Sequence, residues 1–245
     1  MGFLSSTSGT NSNTTGFLLS NGNFTHFRFP GSADTFPQDI NKSGVIVGSF
    51  DVTGGNGRRA FMVHNGVFHQ VTIPGFPNAS TVANGVDNLG DIVGQFDRNG
   101  SGVGFLLHNG KLTIISFPGA TGGTFPSSIN NQGVVVGNYF IAGQSDGGTH
   151  GFMWKNGAFT NIDFPGAAVT FPVKITNNGD VVGTYIDSAG FQNGFSFDKG
   201  HYSTIDRPGF ADTRITAGNS FDNVLGFAFT ESGGKWFKGF CSSVF

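Results

Sequence analysis

Charge is scarce in this sequence: only 11% of its 245 residues are Asp, Glu, Lys or Arg. Three of those charges stand at related points of an internal repeat. Five segments align: Thr35-Phe36-Pro37-Gln38-Asp39, Thr81-Val82-Ala83-Asn84-Gly85, Thr124-Phe125-Pro126-Ser127-Ser128, Thr170-Phe171-Pro172-Val173-Lys174 and Thr213-Arg214-Ile215-Thr216-Ala217. The first residue is always Thr, which points to a structural task such as bonding neighbouring backbone. The fifth varies most, with one acid (Asp39), one base (Lys174), one hydroxyl (Ser128) and two small residues. Equivalent repeat positions lie at one level, and partial burial there would couple the two protonation states, as acid–base chemistry requires. Asp39 or Lys174 would serve as base and Arg214 as partner to a developing anion. That set suits proton transfer on a small organic substrate: elimination, addition, cyclisation or lactone hydrolysis, with no cofactor required. The competing assignment is a salt bridge that only holds the structure together.

The second and fourth positions supply binding groups. Phe36, Phe125 and Phe171 with Arg214 would form an aromatic rim carrying one guanidinium, suited to a flat or anionic ligand. Alternatively these Phe rings pack between repeats. Gln38, Asn84, Ser127, Ser128 and Thr216 would add small polar contacts. His64 and His108 precede C–D turns, His26, His69 and His201 fall at non-equivalent offsets on D strands, and His150 stands just before a C strand, so no metal site is expected. Cys241 stands alone, which excludes an internal disulfide framework and any Cys-rich zinc module. Trp154 sits where other copies carry aliphatic residues and is expected in the core. Trp236 falls in a loop, where an exposed ring could stack on a sugar.

The elements that position these residues follow from the repeat. A Gly-Phe or Ala-Phe pair recurs at Gly16, Ala60, Gly104, Gly151, Gly194 and Gly239, with spacings of 44, 44, 47, 43 and 45. Each period holds four strand signals. In the first full copy strand A is 35–41, B is 45–52, C is 60–66 and D is 67–75. B is β-branched and aromatic, while D alternates apolar with polar residues. Asn-Gly joins C to D in four copies and Lys199-Gly200 in the fifth, matching a two-residue turn with positive φ at both positions. D ends at Pro-Gly, because Pro cannot donate to a ladder. With 41 Gly and 29 Phe, helical bundles are disfavoured and a core is affordable. Four short antiparallel strands per 43–47 residues is the pattern of a β-propeller blade.

The fold expected is therefore all-β, a single propeller domain over 1–245. Its repeats run at about 16–59, 60–103, 104–150, 151–193 and 194–238, with a partial copy at 239–245. A and D occur five times, B and C six times. Taking A as the innermost strand gives five blades, closed by strands from both termini. Six blades with incomplete first and last members is the alternative.

These motifs resemble the HAF repeat family, predicted extracellular repeat proteins of bacteria. Ala60-Phe61 and His150-Gly151-Phe152 match its opening. Ile40-Asn41-Lys42-Ser43-Gly44-Val45-Ile46-Val47-Gly48 and Ile129-Asn130-Asn131-Gln132-Gly133-Val134-Val135-Val136-Gly137 match its end. The small residue usual before Ile-Asn survives only as Gly85, and the fifth copy lacks the Ile-Asn pair. The resemblance implies a propeller-type fold and an extracellular or periplasmic location. The chain itself opens MGFLSSTSG, without a basic-then-apolar leader.

A formal charge of −2 leaves no electrostatic footprint for nucleic acid, and no apolar run reaches the length needed for a membrane helix. Two functions are compatible with these residues. One is a monomeric binding module for a small organic molecule or glycan, with pockets at the channel mouth or between blades. The other is a cofactor-independent enzyme with one axial site.

Overall fold

In the computed structural model the described residues are 1–8, 11–54, 57–143, 148–206, 209–218, 223–229 and 238–243. They form 22 strands and, among the described residues, no helix. The chain divides into two compact units, Met1–Ile115 and Ser116–Phe245.

Each unit contains three antiparallel meanders. In the first unit these are β1 (Gly2–Ser8), β2 (Asn11–Ser20) and β3 (Asn23–Phe27); β4 (Thr35–Ile40), β5 (Ile46–Asp51), β6 (Arg58–His64) and β7 (Val67–Val71); and β8 (Thr81–Val86), β9 (Ile92–Arg98), β10 (Ser101–His108) and β11 (Lys111–Ile115). In the second they are β12 (Gly123–Ile129), β13 (Val135–Phe140), β14 (Thr149–Lys155) and β15 (Ala158–Asn161); β16 (Val169–Ile175), β17 (Val181–Ile186), β18 (Gln192–Asp198) and β19 (His201–Ile205); and β20 (Asp212–Gly218), β21 (Asn223–Phe229) and β22 (Lys238–Ser243).

The strands thus sort into six meanders, five of which contain an A strand. B and C form a hairpin without needing an A strand beside them. Gly2–Ser8 pairs along β2, and Lys238–Ser243 pairs along β21. The first meander lacks its A strand and the last its D strand among the described residues. D strands also end earlier than expected. In the second meander the ladder stops at Val71, and Ile73 instead turns back on Phe76, whose amide donates to the Ile73 carbonyl at 2.9 Å. Val244 and Phe245 lie outside the described residues.

The hairpin chemistry holds at every C–D turn. Asn21, Asn65, Asn109 and Asn156 have φ of 49–50° and the following Gly 75–90°. Lys199 adopts the same geometry at φ 45° without the Asn side chain that makes it inexpensive.

The abundant Phe is explained by a box repeated between consecutive meanders. After three of the D strands a ring lies flat on a B-strand ring: Phe29 on Phe50 at 3.7 Å, Phe117 on Tyr139 at 3.6 Å and Phe164 on Tyr185 at 3.8 Å. A D-strand ring meets it edge-on, as Phe68, Phe159 and Tyr202 do. C-strand rings Phe61, Phe152 and Phe195 are fully buried alongside. Trp154 is buried as expected. The recurring Thr anchors those same three crossovers: Thr35, Thr124 and Thr170 hydroxyls accept the amides of Phe29, Phe117 and Phe164 at 2.9–3.0 Å. Each of these three Thr therefore fixes the ring that its own meander packs against.

Candidate ligand-binding site

All five A strands carry a β-bulge at the same place. Register shifts between Pro37 and Asp39, Ala83 and Gly85, Pro126 and Ser128, Pro172 and Lys174, and Ile215 and Ala217. The extra residue is the fourth of each segment: Gln38, Asn84, Ser127, Val173 or Thr216. A bulge re-aims side chains on both sides of itself, so these positions depart from simple alternation. Opposite it the B strand carries Gly48, Gly94, Gly137 and Gly183. A Cβ there would come within 2.0–2.2 Å of the A-strand carbonyl of Phe36, Val82, Phe125 or Phe171. Only glycine lets the two backbones approach this closely.

The bulge turns the fifth position toward the next meander. The Val86 amide donates to Asp39 Oδ2 at 3.1 Å, and the Ile175 amide donates to Ser128 Oγ at 3.4 Å. Each link spans 47 residues and joins equivalent points of successive copies. Asp39 and Ser128 are therefore used as staples between A strands. Ser127 adds another, its hydroxyl bonding the Pro172 carbonyl at 2.7 Å and the Val136 carbonyl at 3.1 Å. Asn84 donates to Gln95 Oε1 at 2.6 Å, and Thr216 to the Leu225 carbonyl at 3.1 Å. Gln38 is exposed and Lys174 half-buried. Asp39 belongs to the first unit, Lys174 and Arg214 to the second.

The second position splits by unit. In the first, Phe36 is half-buried beneath the Arg58 guanidinium, 4.2 Å from the ring centre, and Arg58 is itself paired to Asp51 at 3.1 Å. In the second, Phe125 is half-buried, while Phe171 is 37% exposed and Arg214 is exposed. The register places Arg214 opposite Phe227, which is 38% exposed. The strands bearing Phe171 and Arg214 are tied together: Thr184, cross-strand partner of Phe171, accepts the Ile215 amide at 3.0 Å. Neighbouring strands of the second unit thus present an aromatic ring, a guanidinium and a second ring to solvent. No carboxylate pairs with Arg214 among the described residues. Exposed rings and a guanidinium are the groups that stack a flat ligand and pair with an anionic one.

Residue-by-residue reading missed a second cluster. His150 Nδ1 lies 2.8 Å from Asp163 Oδ2, and Asp163 also accepts the Gly151 amide and the Asn161 side chain. Tyr139 stacks on His150 at 5.2 Å. Burial first, and the Asp163 charge second, raise the Tyr139 and Tyr202 phenols above their ordinary value. Comparing copies could have found the pair: the equivalent residues Thr15 and Arg28 are also bonded, at 2.8 Å. In both copies the two positions face each other across the C–D hairpin. Among the described residues no three His, Cys, Asp or Glu side chains are grouped to hold a metal. Trp236 lies outside the described residues.

No family model matches the chain, and no curated protein matches it in sequence. Solved structures do. TolB from Acinetobacter baumannii superposes with a TM-score of 0.56 at 9% identity, over 83% of this chain and 55% of that one. A triple arginine-to-alanine mutant of AofleA from Arthrobotrys oligospora gives 0.55 at 13% identity, over 96% of this chain and 80% of that one. This chain spans about half the length of TolB. Both are β-propellers, and together with the all-β meanders the likeness establishes that this chain has the β-propeller fold.

Proposed function

We propose that this propeller is a non-catalytic binding module, and that the Phe171–Arg214–Phe227 surface takes a small organic molecule or glycan bearing a planar or anionic group. The observation that carries this reading is the contrast between the fifth and the second positions of the A strands. Asp39 and Ser128 are committed to backbone amides, whereas Phe171 and Arg214 stand exposed on neighbouring strands. A carboxylate serving as staple is poorly placed to exchange protons with substrate. An aromatic face beside a guanidinium binds without any such exchange.

Assignment to the HAF repeats, and with it an extracellular or periplasmic location and action as a monomer, belongs to the same proposal. It rests on the Ile-Asn-x-x-Gly and Pro-Gly motifs. Fractionation of the source cells tests the location.

The binding claim is tested by saturation-transfer NMR and calorimetry with neutral glycans, uronic-acid glycans and simple aromatic carboxylates. Arg214→Ala and Phe171→Ala should each weaken a bound anionic ligand about tenfold or more, on the order of one charge-assisted contact or one stacked ring. Binding unchanged by both variants would place the site elsewhere. Conversion of a ligand to product, lost on Lys174→Met, would favour the enzyme.

A further inference from the structure

The turn after each of the first four A strands is closed by one side chain. Asn41 Oδ1 accepts the amides of Ser43 and Val45 at 3.0 and 2.9 Å. Asn130 Oδ1 accepts those of Gln132 and Val134 at 3.1 and 3.0 Å. In both, the second side-chain atom is a donor: Asn41 Nδ2 bonds the Asp87 carbonyl at 2.8 Å and Asn130 Nδ2 the Thr176 carbonyl at 3.0 Å. The third meander places Asp87 at this point. Its Oδ1 performs the same turn closure, accepting Leu89 and Asp91 amides at 2.9 Å. Its Oδ2 stands where the other copies carry an amide NH2, and it is buried with no hydrogen-bond partner, in a residue only 3% exposed.

We propose that Asp87 is a neutral carboxylic acid in the folded protein, presenting an Oδ2–H where Asn41 and Asn130 present N–H. A buried carboxylate oxygen without a donor is far more costly than a buried neutral acid. The surroundings oppose a charge further. Asp91, also buried, shares the turn, and its own charge is held by His108 Nδ1 at 2.7 Å. From the preceding meander, Asp39 faces the Val86 amide and the Lys42 backbone bonds Asn88. No cation among these groups reaches Oδ2. The equivalent turn of the fifth meander solves the same problem with a hydroxyl: Thr176 Oγ1 donates to Asp180 Oδ2 at 3.1 Å. Where Thr176 and Asp180 bring one proton, Asp87 and Asp91 must acquire one. Burial first, and repulsion from Asp91 as a smaller cause, raise the Asp87 carboxyl above its ordinary value of 3.8, opposed by the turn amides.

The consequence has a definite sign. The folded state keeps the Asp87 proton at pH values where the unfolded chain has released it. Asp87 therefore favours folding at acid pH, and that advantage is lost as pH rises from about 3.8 through the raised folded value. Asp87→Asn supplies the amide found in the other copies and removes the titration. Denaturant unfolding of both proteins between pH 4 and 8 tests this. The wild-type unfolding constant, relative to the variant, should climb by up to tenfold per pH unit and then level off. A ratio independent of pH, or one that climbs toward acid, overturns the proposal. Carbon-13 titration of the native Asp87 carboxyl, assigned through its own Cβ, gives a second reading that needs no variant. Ionisation at or below the ordinary Asp range there overturns it as well.

Discussion

Replacing Asp39 separates a staple from an acid–base catalyst. Asp39 Oδ2 accepts the amide of Val86, a buried residue on the next A strand. Asp39→Ala removes the acceptor and leaves that N–H without its bond inside the sheet stack. An orphaned buried donor costs about 1–3 kcal/mol. For a chain of this size each kcal/mol lowers Tm by about 2–4 °C, so the expected fall is about 2–12 °C. Asp39→Asn keeps an oxygen in reach of the amide and should lose less than half as much. The ordering of the two variants is therefore the informative result. Thermal and urea unfolding report the stability, and hydrogen exchange at the Val86 amide reports the bond itself. Unchanged melting and unchanged Val86 protection in Asp39→Ala would refute the reasoning. So would an Asp39→Asn variant that melts like wild type but has lost a measurable turnover, because only a proton-transfer role distinguishes the carboxylate from its amide.

Gly183→Ala should cost about 1–3 kcal/mol or more, because the new Cβ would lie 2.2 Å from the Phe171 carbonyl and must push β16 aside; urea unfolding checks the cost. Ligand titration checks a second effect, since displacing Phe171 should weaken binding beyond what stability explains. Lys199→Asn should gain about 0.5–1 kcal/mol, because Asn accepts the left-handed geometry that Lys199 adopts at φ 45°; a lower melting temperature would show the turn to be held by something else. Ultraviolet difference titration in alkali should find two late-ionising phenols, Tyr139 and Tyr202, raised above 10.0 mainly by burial. Asp163→Asn should lower both, and stability tied to these phenols should fade only as pH rises beyond 10.0.

Much of the architecture was written in short windows of sequence. Asn-Gly needs only its own backbone to make a hairpin, so C–D turns were legible from two residues. Thr35 and its equivalents announced a backbone role by their invariance among copies, and the hydroxyl bonds to Phe29, Phe117 and Phe164 are that role. The propeller itself followed from period and strand pattern. The number of blades did not, because a B–C hairpin at either end carries no local mark of whether an A strand stands beside it.

The site was less legible. Asp39, Ser128, Lys174 and Arg214 were visible as unusual side chains, but sequence could not say what each one faces. A bulge recurring in every A strand turns the fifth position toward the next meander, and the acceptor of Asp39 or Ser128 lies 47 residues away. Asp87 was not noticed at all, since Asp and Asn are interchangeable as closers of an isolated turn. They differ only when the second atom is buried and the neighbour decides whether a donor or an acceptor is wanted. Backbone geometry is set by a residue and those beside it, so sequence alone determined it here. Commitment of a polar side chain is set by what packs against it from a distant copy, and only the tertiary structure supplied that.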